Sequence, residues 1–372
     1  MNRTPVFVLT GFLGAGKSTL LNRLLTDPSF AGTAVVINEF GDVALDHDLV
    51  HAGRAQVVRT TTGCLCCTDG SDLGTSLREL SALAGAGGLS FSRVVIETTG
   101  LADPAPLVNQ LMRDPLVAQG FELAGIVALV DVVTGALSIE NHFEAAKQIA
   151  FADRIVMTRT DLARDPASLR DIDDLRAQLA ALNPAARLAD ANRPGFDLSA
   201  LFRPRAYAPA SLGDDVTGWL ALDEAIRGEG HETREALPFS RHGGRIRTFS
   251  IVRERPVGRE ALRRFLDLLA LSAGPRLLRV KGLVHDRDEP DRPRVLHVVQ
   301  HAIFPLTALE AWPGADHRTR LVFITDGIDP EPVRQLFEAA LDGRPAGQGR
   351  ALETLARTLR SGAARLARAL TG

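Results

Sequence analysis

The three cysteines of the 372-residue chain, Cys64, Cys66 and Cys67, lie within four consecutive positions. In an extended segment Cys64 and Cys66 would project to the same side and could share one soft metal ion, while Cys67 could turn in at a bend. Two or three thiolates favour Zn²⁺ or a similar divalent ion, and an incomplete set leaves one position for an exchangeable ligand. We therefore predict a metal site. A redox role stays open, because Cys64 and Cys67 also satisfy the C-x-x-C spacing.

Further ligands for such an ion are available in the preceding segment. Glu39, Asp42, His47 and His51 are close to the cysteines in sequence, although each could equally be solvated. We include the two carboxylates, Glu39 and Asp42, with the three thiols in the predicted metal site.

A second group of residues has the spacing of a phosphate-binding loop. Residues 11–18 match the pattern G-x-x-x-x-G-K-[ST] between an apolar segment and leucines at helical spacing. Glycine lets backbone N–H groups close around phosphate oxygens, Lys17 supplies a positive charge, and Ser18 offers a hydroxyl to Mg²⁺. The pattern predicts nucleotide contacts from Gly11, Gly14, Ala15, Gly16, Lys17, Ser18 and Thr19.

A carboxylate follows at the end of a second β-rich segment, residues 93–97. In P-loop proteins an acidic group at this place holds Mg²⁺, directly or through water, and a glycine just after it can donate its N–H to the γ-phosphate. We therefore predict that Glu97 acts with Lys17 and Ser18 in catalysis and that Gly100 contacts the nucleotide. The alternative is that Glu97 is an ordinary surface carboxylate at a strand end. The metal motif lies between the phosphate loop and Glu97, where nucleotide-sensing segments of P-loop GTPases are found.

The segment RIVMTRTDL, residues 154–162, is a buried strand that ends in a possible base-reading motif. Thr158, Arg159 and Asp161 resemble the guanine-reading pattern Asn-Lys-x-Asp, with substitutions at the first two positions. The Asp161 carboxylate could accept two hydrogen bonds from guanine, whereas adenine would leave that charge unpaired. Arg159 could lie along the base. We predict GTP as the nucleotide, with ATP left open.

Composition excludes some classes of partner. A net charge of −2 and a pI near 6.5 give no electrostatic reason to expect nucleic acid. No apolar segment approaches the ~20 residues that a membrane span needs. No secretory signal is apparent either, and we expect a cytoplasmic protein with no membrane association.

These residues must be positioned by at least two domains. We predict an α/β P-loop domain with a mostly parallel sheet over residues 1–195 and an irregular linker over residues 196–241. A smaller α+β domain with an antiparallel sheet and helices on one face should follow over residues 242–343. An amphipathic helical tail should occupy residues 344–372. Helices are expected over residues 139–151 and 165–182, with Lys147 as a solvated helix residue.

The motifs together resemble those of the CobW-type family of P-loop GTPase metallochaperones, the CobW/HypB/UreG group. The matching motifs, in order, are GFLGAGKST, INEFGD, GCLCC, ETTGLADP, TRTD, LLRVKGLV and RLVFITDGID, between about residues 5 and 341. The sequence departs from the family at Asp42, where glutamate is common, and at Thr158 and Arg159. The resemblance implies GTP hydrolysis coupled to the loading or release of zinc or cobalt, and delivery of that metal to a client metalloprotein. A homodimer is a further expectation.

Two other functions remain as alternatives. The chain could be an enzyme that uses the nucleotide for other chemistry, such as a kinase with a structural metal or a redox-active thiol site. It could also be a regulatory GTP-binding protein with negligible hydrolysis. We favour the first hypothesis, in which nucleotide state and metal affinity are reciprocally coupled.

Overall fold

The structure, a computed structural model, describes residues 3–37, 56–59, 71–85, 91–203 and 246–341. The chain divides into two compact units, and the described parts of the two are residues 3–203, with the gaps given above, and residues 246–341. Within these ranges, no helix combines the length and the apolar character that a membrane crossing requires.

The first domain is built on a parallel sheet. Its described strands are β1 (Thr4–Gly11), β2 (Thr33–Ile37), β3 (Gln56–Arg59), β4 (Arg93–Glu97), β5 (Phe121–Asp131), β6 (Arg154–Thr158) and β7 (Arg187–Asp190). The strand order is β3-β2-β4-β1-β5-β6-β7, and every neighbouring pair is parallel. The predicted α/β class is confirmed. Parallel strands place their carboxyl ends at one edge, which is where α/β proteins bind ligands.

Helices follow the strands and cover the sheet. Those described are α1 (Lys17–Thr26), α2 (Ser71–Gly85), α3 (Pro104–Arg113), α4 (Pro115–Gly120), α5 (Gly135–Asn141), α6 (Phe143–Phe151), α7 (Pro166–Leu182) and α8 (Leu198–Leu201). The prediction of a helix over residues 165–182 is confirmed by α7. The single helix expected over residues 139–151 is wrong, because His142 has an extended backbone and separates α5 from α6.

The core of this domain explains the leucine spacing after the phosphate loop. Leu20, Leu21, Leu24 and Leu25 of α1 are all buried. The same core includes Phe7 of β1 and Phe202, whose rings meet edge to face with centroids 5.6 Å apart. The helix that starts at the phosphate loop is therefore fixed to the sheet by its apolar face.

The second domain pairs its strands in the antiparallel sense. Its described elements are β8 (Ile246–Arg253), α9 (Arg259–Ala273), β9 (Leu277–Val284), β10 (Arg294–Val299), β11 (Ala302–Ile303), β12 (Thr307–Ala308), β13 (Thr319–Asp326) and α10 (Pro330–Leu341). The order is β11-β10-β9-β13-β8, and β12 also pairs with β10. Alternate strand residues, such as Leu321 and Phe323, share one core with Phe265 of α9 and Phe337 of α10. The predicted antiparallel sheet with helices on one face is confirmed.

Candidate nucleotide site

The phosphate loop, residues 11–18, depends on glycine at defined positions. Gly11, Gly14 and Gly16 have φ values of 143°, 75° and 90°, in the region that disfavours side chains. At Gly11 an added Cβ would lie 2.6 Å from the carbonyl oxygen of Leu129 in β5. The loop is thus packed on the sheet at its start, and its backbone would be strained by any other residue type at these three positions.

The loop ends at the amino terminus of α1. Gly16 is the N-cap residue, and no side-chain hydrogen bond caps this end. The first turn contains Lys17, Ser18 and Thr19, whose backbone N–H groups point out of the helix start together with the positive end of its dipole. This is the arrangement that binds phosphate in P-loop proteins.

Lys17 lies against the loop. Its Nζ donates hydrogen bonds to the carbonyl oxygens of Gly11 at 2.7 Å and Phe12 at 3.2 Å. The ammonium group therefore lies against the phosphate loop, and the role of Lys17 in nucleotide binding stays a prediction.

Glu97 ends β4 immediately beside β1. It pairs with Leu9 in the parallel register and is only 2% exposed, so its interpretation as a surface carboxylate is wrong. The next residue, Thr98, donates its N–H to Leu9 at 2.9 Å and its hydroxyl to the Thr10 hydroxyl at 2.9 Å. These bonds fix the start of the second loop, residues 98–103, to the strand that carries the phosphate loop.

Gly100 brings the second loop into contact with the phosphate loop. A Cβ at this position would lie 2.8 Å from the backbone nitrogen of Leu13 and 2.9 Å from its Cα. Only glycine permits this approach without a shift of backbone. Gly100 therefore lies next to the phosphate loop, and its contact with the nucleotide stays a prediction.

The TRTD motif also contacts the phosphate loop. The Thr158 hydroxyl donates to the carbonyl oxygen of Ala15 at 3.0 Å. Arg159 has φ 60°, and its guanidinium donates to the carbonyl oxygen of Gly14 at 3.0 Å. Both residues, predicted to bind nucleotide, therefore bond to carbonyl groups of the phosphate loop.

Asp131, at the end of β5, was not predicted from the sequence as a site residue. It is buried and accepts hydrogen bonds from the N–H groups of Val133 at 3.0 Å and Thr134 at 3.2 Å and from the Thr134 hydroxyl at 2.6 Å. It also forms an ion pair with Arg159. The sequence feature that could have identified Asp131 is its position as an acidic residue at the end of an apolar strand.

Asp161 is exposed at the same edge of the sheet. It lies in a 3-10 turn, Thr160–Leu162, directly after β6. The Thr160 hydroxyl donates to the Asp190 carboxylate at the end of β7 at 2.6 Å, which anchors the turn. The carboxylate of Asp161 is therefore accessible on a fixed support, as base recognition requires.

The predicted metal ligands Cys64, Cys66, Cys67, Glu39 and Asp42 lie outside the described residues. Among the residues that are described, no group of three or more His, Cys, Asp or Glu side chains could hold a metal ion.

The ends of β2 and β3 show where the chain leaves the sheet before the segments that carry the predicted metal ligands. Ile37, the last residue of β2, pairs with Glu97 in β4 and with Arg59 at the end of β3. The chain therefore leaves the sheet beside Glu97 before residues 38–55, and one strand further away before residues 60–70.

One lysine differs from its predicted state. Lys147, expected to be solvated, has a side chain that is 13% exposed and forms an ion pair with Asp103 of the second loop. The expectation was wrong because Asp103, 44 residues earlier in the chain, is brought to α6 by the fold.

The parallel sheet, the glycine-dependent loop and the bonds between that loop and the TRTD motif define a P-loop GTPase. Two sequence-family models then match the chain. The model described as CobW/HypB/UreG, nucleotide-binding domain, matches residues 5–189, and the model of the cobalamin synthesis protein cobW C-terminal domain matches residues 246–341. The chain belongs to the CobW/HypB/UreG family, which confirms the resemblance seen in its motifs.

Individual relatives are similar over nearly the whole chain. Zinc chaperone YjiA of Escherichia coli K12 is 29% identical over 337 residues, 91% of this chain and 98% of the relative. Zinc-regulated GTPase metalloprotein activator 1 of Saccharomyces cerevisiae is 24% identical over 387 residues, 91% and 84% of the two chains. The crystal structure of Zn(II)-bound YjiA GTPase from E. coli has a TM-score of 0.65 at 25% identity and covers 91% of this chain and 99% of that chain.

Proposed function

We propose that this chain is a GTP-hydrolysing metallochaperone that binds zinc through Cys64, Cys66 and Cys67 and delivers it to a client metalloprotein under nucleotide control. Its family membership and the names of its relatives, which include zinc chaperones and a zinc-regulated GTPase, support this proposal.

The residues of the phosphate loop fit a nucleotide with Mg²⁺. Three glycines at positive φ and the uncapped start of α1 leave backbone N–H groups for the phosphate oxygens. Lys17 would neutralise phosphate charge, while Ser18 and Glu97 would hold Mg²⁺. The ion would supply charge stabilisation at the transferred phosphate. Asp161 would accept hydrogen bonds from guanine.

Zinc is the cargo of the proposed carrier. Cys64, Cys66 and Cys67 would supply thiolates, and Glu39 or Asp42 would complete the ligand set. Zinc is preferred to cobalt because the relatives are named for zinc. Cobalt remains the second metal to be measured.

The register of β2 supports coupling between the two sites. Ile37 pairs with both Glu97 and Arg59, so the segment with Glu39 and Asp42 follows the strand next to the proposed magnesium residue, and the segment with the cysteines follows one strand further away. Loss of the γ-phosphate at this edge would alter those segments and the metal affinity with them. The coupling is reciprocal, and a ~10-fold change in zinc affinity needs only ~1.4 kcal/mol.

The test is a competition titration of the full-length chain with Zn²⁺ and with Co²⁺. Affinities are measured with Mg²⁺ and a non-hydrolysable GTP analogue, with Mg²⁺ and GDP, and without nucleotide. We expect zinc affinity to differ by about tenfold between the two nucleotide states. The variant in which Cys64, Cys66 and Cys67 are all alanine should lose that binding. Zinc affinity that ignores the nucleotide would contradict the carrier mechanism.

A further inference from the structure

One helix of the first domain holds the second loop. Gln148 of α6 is fully buried, and its Nε2 donates hydrogen bonds to the carbonyl oxygens of Gly100 at 3.1 Å and Ala102 at 3.0 Å. A primary amide has two N–H donors, so these bonds use the whole donor capacity of the side chain. A buried side chain from another element thus fixes two carbonyl groups of a loop that borders the phosphate site.

The loop is also closed on itself and anchored at its end. The N–H of Ala102 donates to the carbonyl oxygen of Thr99 at 3.1 Å, which closes a turn over residues 99–102. Asp103 pairs with Lys147 and accepts the N–H of Ala105 at 3.0 Å where α3 begins. Two adjacent residues of α6 therefore restrain the turn and the residue that follows it.

The phosphate loop restrains the turn from another direction, through the close approach of Gly100 to Leu13. Peptide groups are planar, so a carbonyl that is held in one direction fixes the N–H of the same peptide in the opposite direction. The Thr99 carbonyl is bonded to Ala102 and the Gly100 carbonyl to Gln148. The directions of the N–H groups of Gly100 and Leu101 are set by these two bonds.

We infer that Gln148 is a positioning residue for recognition of the γ-phosphate, because it orients the turn that presents the Gly100 N–H. Lys147 supports the same turn through Asp103. The inference rests on the proposed function in one respect, the assignment of Gly100 to the γ-phosphate. Without the amide donors the turn can rotate, so affinity for GTP falls, while GDP, which has no γ-phosphate, is bound as before.

The test compares the full-length wild type with Gln148→Met, a change that roughly preserves side-chain length and removes both donors. Dissociation constants are measured for a non-hydrolysable GTP analogue and for GDP, both with Mg²⁺. We expect affinity for the GTP analogue to fall by about tenfold, which corresponds to ~1.4 kcal/mol, and affinity for GDP to change by less than about twofold.

A matched control is a buried amide that follows α7 and bonds to the C-terminal end of α6. Asn183 is 1% exposed, and its Nδ2 donates to the carbonyl oxygens of Ile149 at 2.7 Å and Ala152 at 2.9 Å, at the other end of α6. Asn183→Leu also removes a buried amide, so it should lower the Tm while the ratio of GTP-analogue to GDP affinity stays at the wild-type value. An unchanged ratio in Gln148→Met as well would overturn the inference.

A milder variant keeps the inference testable if Gln148→Met does not fold. Lys147→Met removes the ion pair with Asp103, together with the contact of the ammonium group with the Phe143 ring, and should weaken GTP-analogue binding by about two- to threefold, and Lys147→Arg should restore it. A wild-type ratio in Lys147→Met would then count against the inference.

The nucleotide and zinc measurements separate the two proposals. If zinc affinity ignores the nucleotide but Gln148→Met loses GTP selectively, the carrier mechanism fails and the role of Gln148 stands. If zinc affinity follows the nucleotide and Gln148→Met keeps the wild-type ratio, only the inference fails. A wild type that binds GTP analogue and GDP alike would overturn the role of Gln148, since no γ-phosphate recognition would exist to be positioned.

Discussion

In the first domain, the buried polar side chains nearest the nucleotide site bond to the backbone of loops. Asp131 accepts two backbone N–H groups, and Gln148 donates to two carbonyl groups of the second loop. The buried Thr158 and the exposed Arg159 beside it each donate to a carbonyl of the phosphate loop. The first domain thus uses its buried polar groups to fix the shape of segments that carry little regular structure.

In the second domain, a buried carboxylate is instead bonded mainly to charged side chains. Asp286 is fully buried and accepts hydrogen bonds from Arg259 at 2.7 Å and Arg294 at 3.0 Å, and both arginines also donate to Glu289. Burial alone would raise the pKa of Asp286, but the bonds from the two arginines lower it below its ordinary value. This network joins the first residue of α9 to the turn after β9 and to the first residue of β10.

The difference suggests how to tell the two kinds of polar group apart by experiment. Changes at the polar groups beside the nucleotide site should alter nucleotide binding more than stability. Changes in the second domain should alter stability alone.

Asp286→Asn should have the largest effect on stability. It leaves Arg259 and Arg294 without their shared charge, and breaking a buried ion pair costs several kcal/mol. We expect a loss of about 3 kcal/mol, the lower end of that range, because the Arg259 side chain is 42% exposed. Urea unfolding of the full-length chain measures it. Binding of GTP analogue by the folded variant should match that of wild type, and a selective loss of GTP binding would contradict the comparison.

Gly100→Ala should instead lower the affinity for GTP analogue more than it lowers stability. The new methyl group would meet the Leu13 backbone at 2.8 Å, and such overpacking costs about 1–3 kcal/mol, so we expect affinity for GTP analogue to fall about 10- to 100-fold. Gly314→Ala, in the second domain, is the control, because an added Cβ there meets no atom within 4 Å. Nucleotide titration of both variants would show whether close packing at Gly100 matters for the γ-phosphate.

Acid should weaken the second domain through Asp316. Hydrogen bonds from the Arg318 side chain lower the pKa of Asp316 well below its usual range, and the charge of Arg320 contributes. A carboxylate with a depressed folded pKa stabilises the fold above its unfolded pKa of about 3.9, and this stability is lost as pH falls through the folded value. Asp316→Asn should therefore lower the Tm at pH 6 and flatten its decline below pH 4. The side chain is 27% exposed, so about 1 kcal/mol is expected.

The sequence predicted the parts of the site that are local in the chain. The phosphate loop, the strand that ends at Glu97 and the position of Asp161 follow from short patterns, and the fold class follows from the alternation of apolar strands and helices. The contacts of Lys147 with Asp103 and of Gln148 with Gly100 join residues 44 and 48 positions apart. No pattern of spacing identifies such pairs, because the topology of the sheet brings them together.

The smallest expected effect is that of Thr158→Val, which distinguishes the contribution of the phosphate loop from that of the second loop. Thr158→Val keeps the shape of the side chain and removes the hydroxyl that bonds to Ala15, so nucleotide affinity should fall by about fivefold, for a hydrogen bond worth ~1 kcal/mol. Because this bond supports the phosphate loop itself, GTP analogue and GDP should weaken equally, whereas Gln148→Met, which removes bonds to the second loop only, should weaken the analogue alone. A selective loss of GTP in Thr158→Val would mean that the two loops act as one unit.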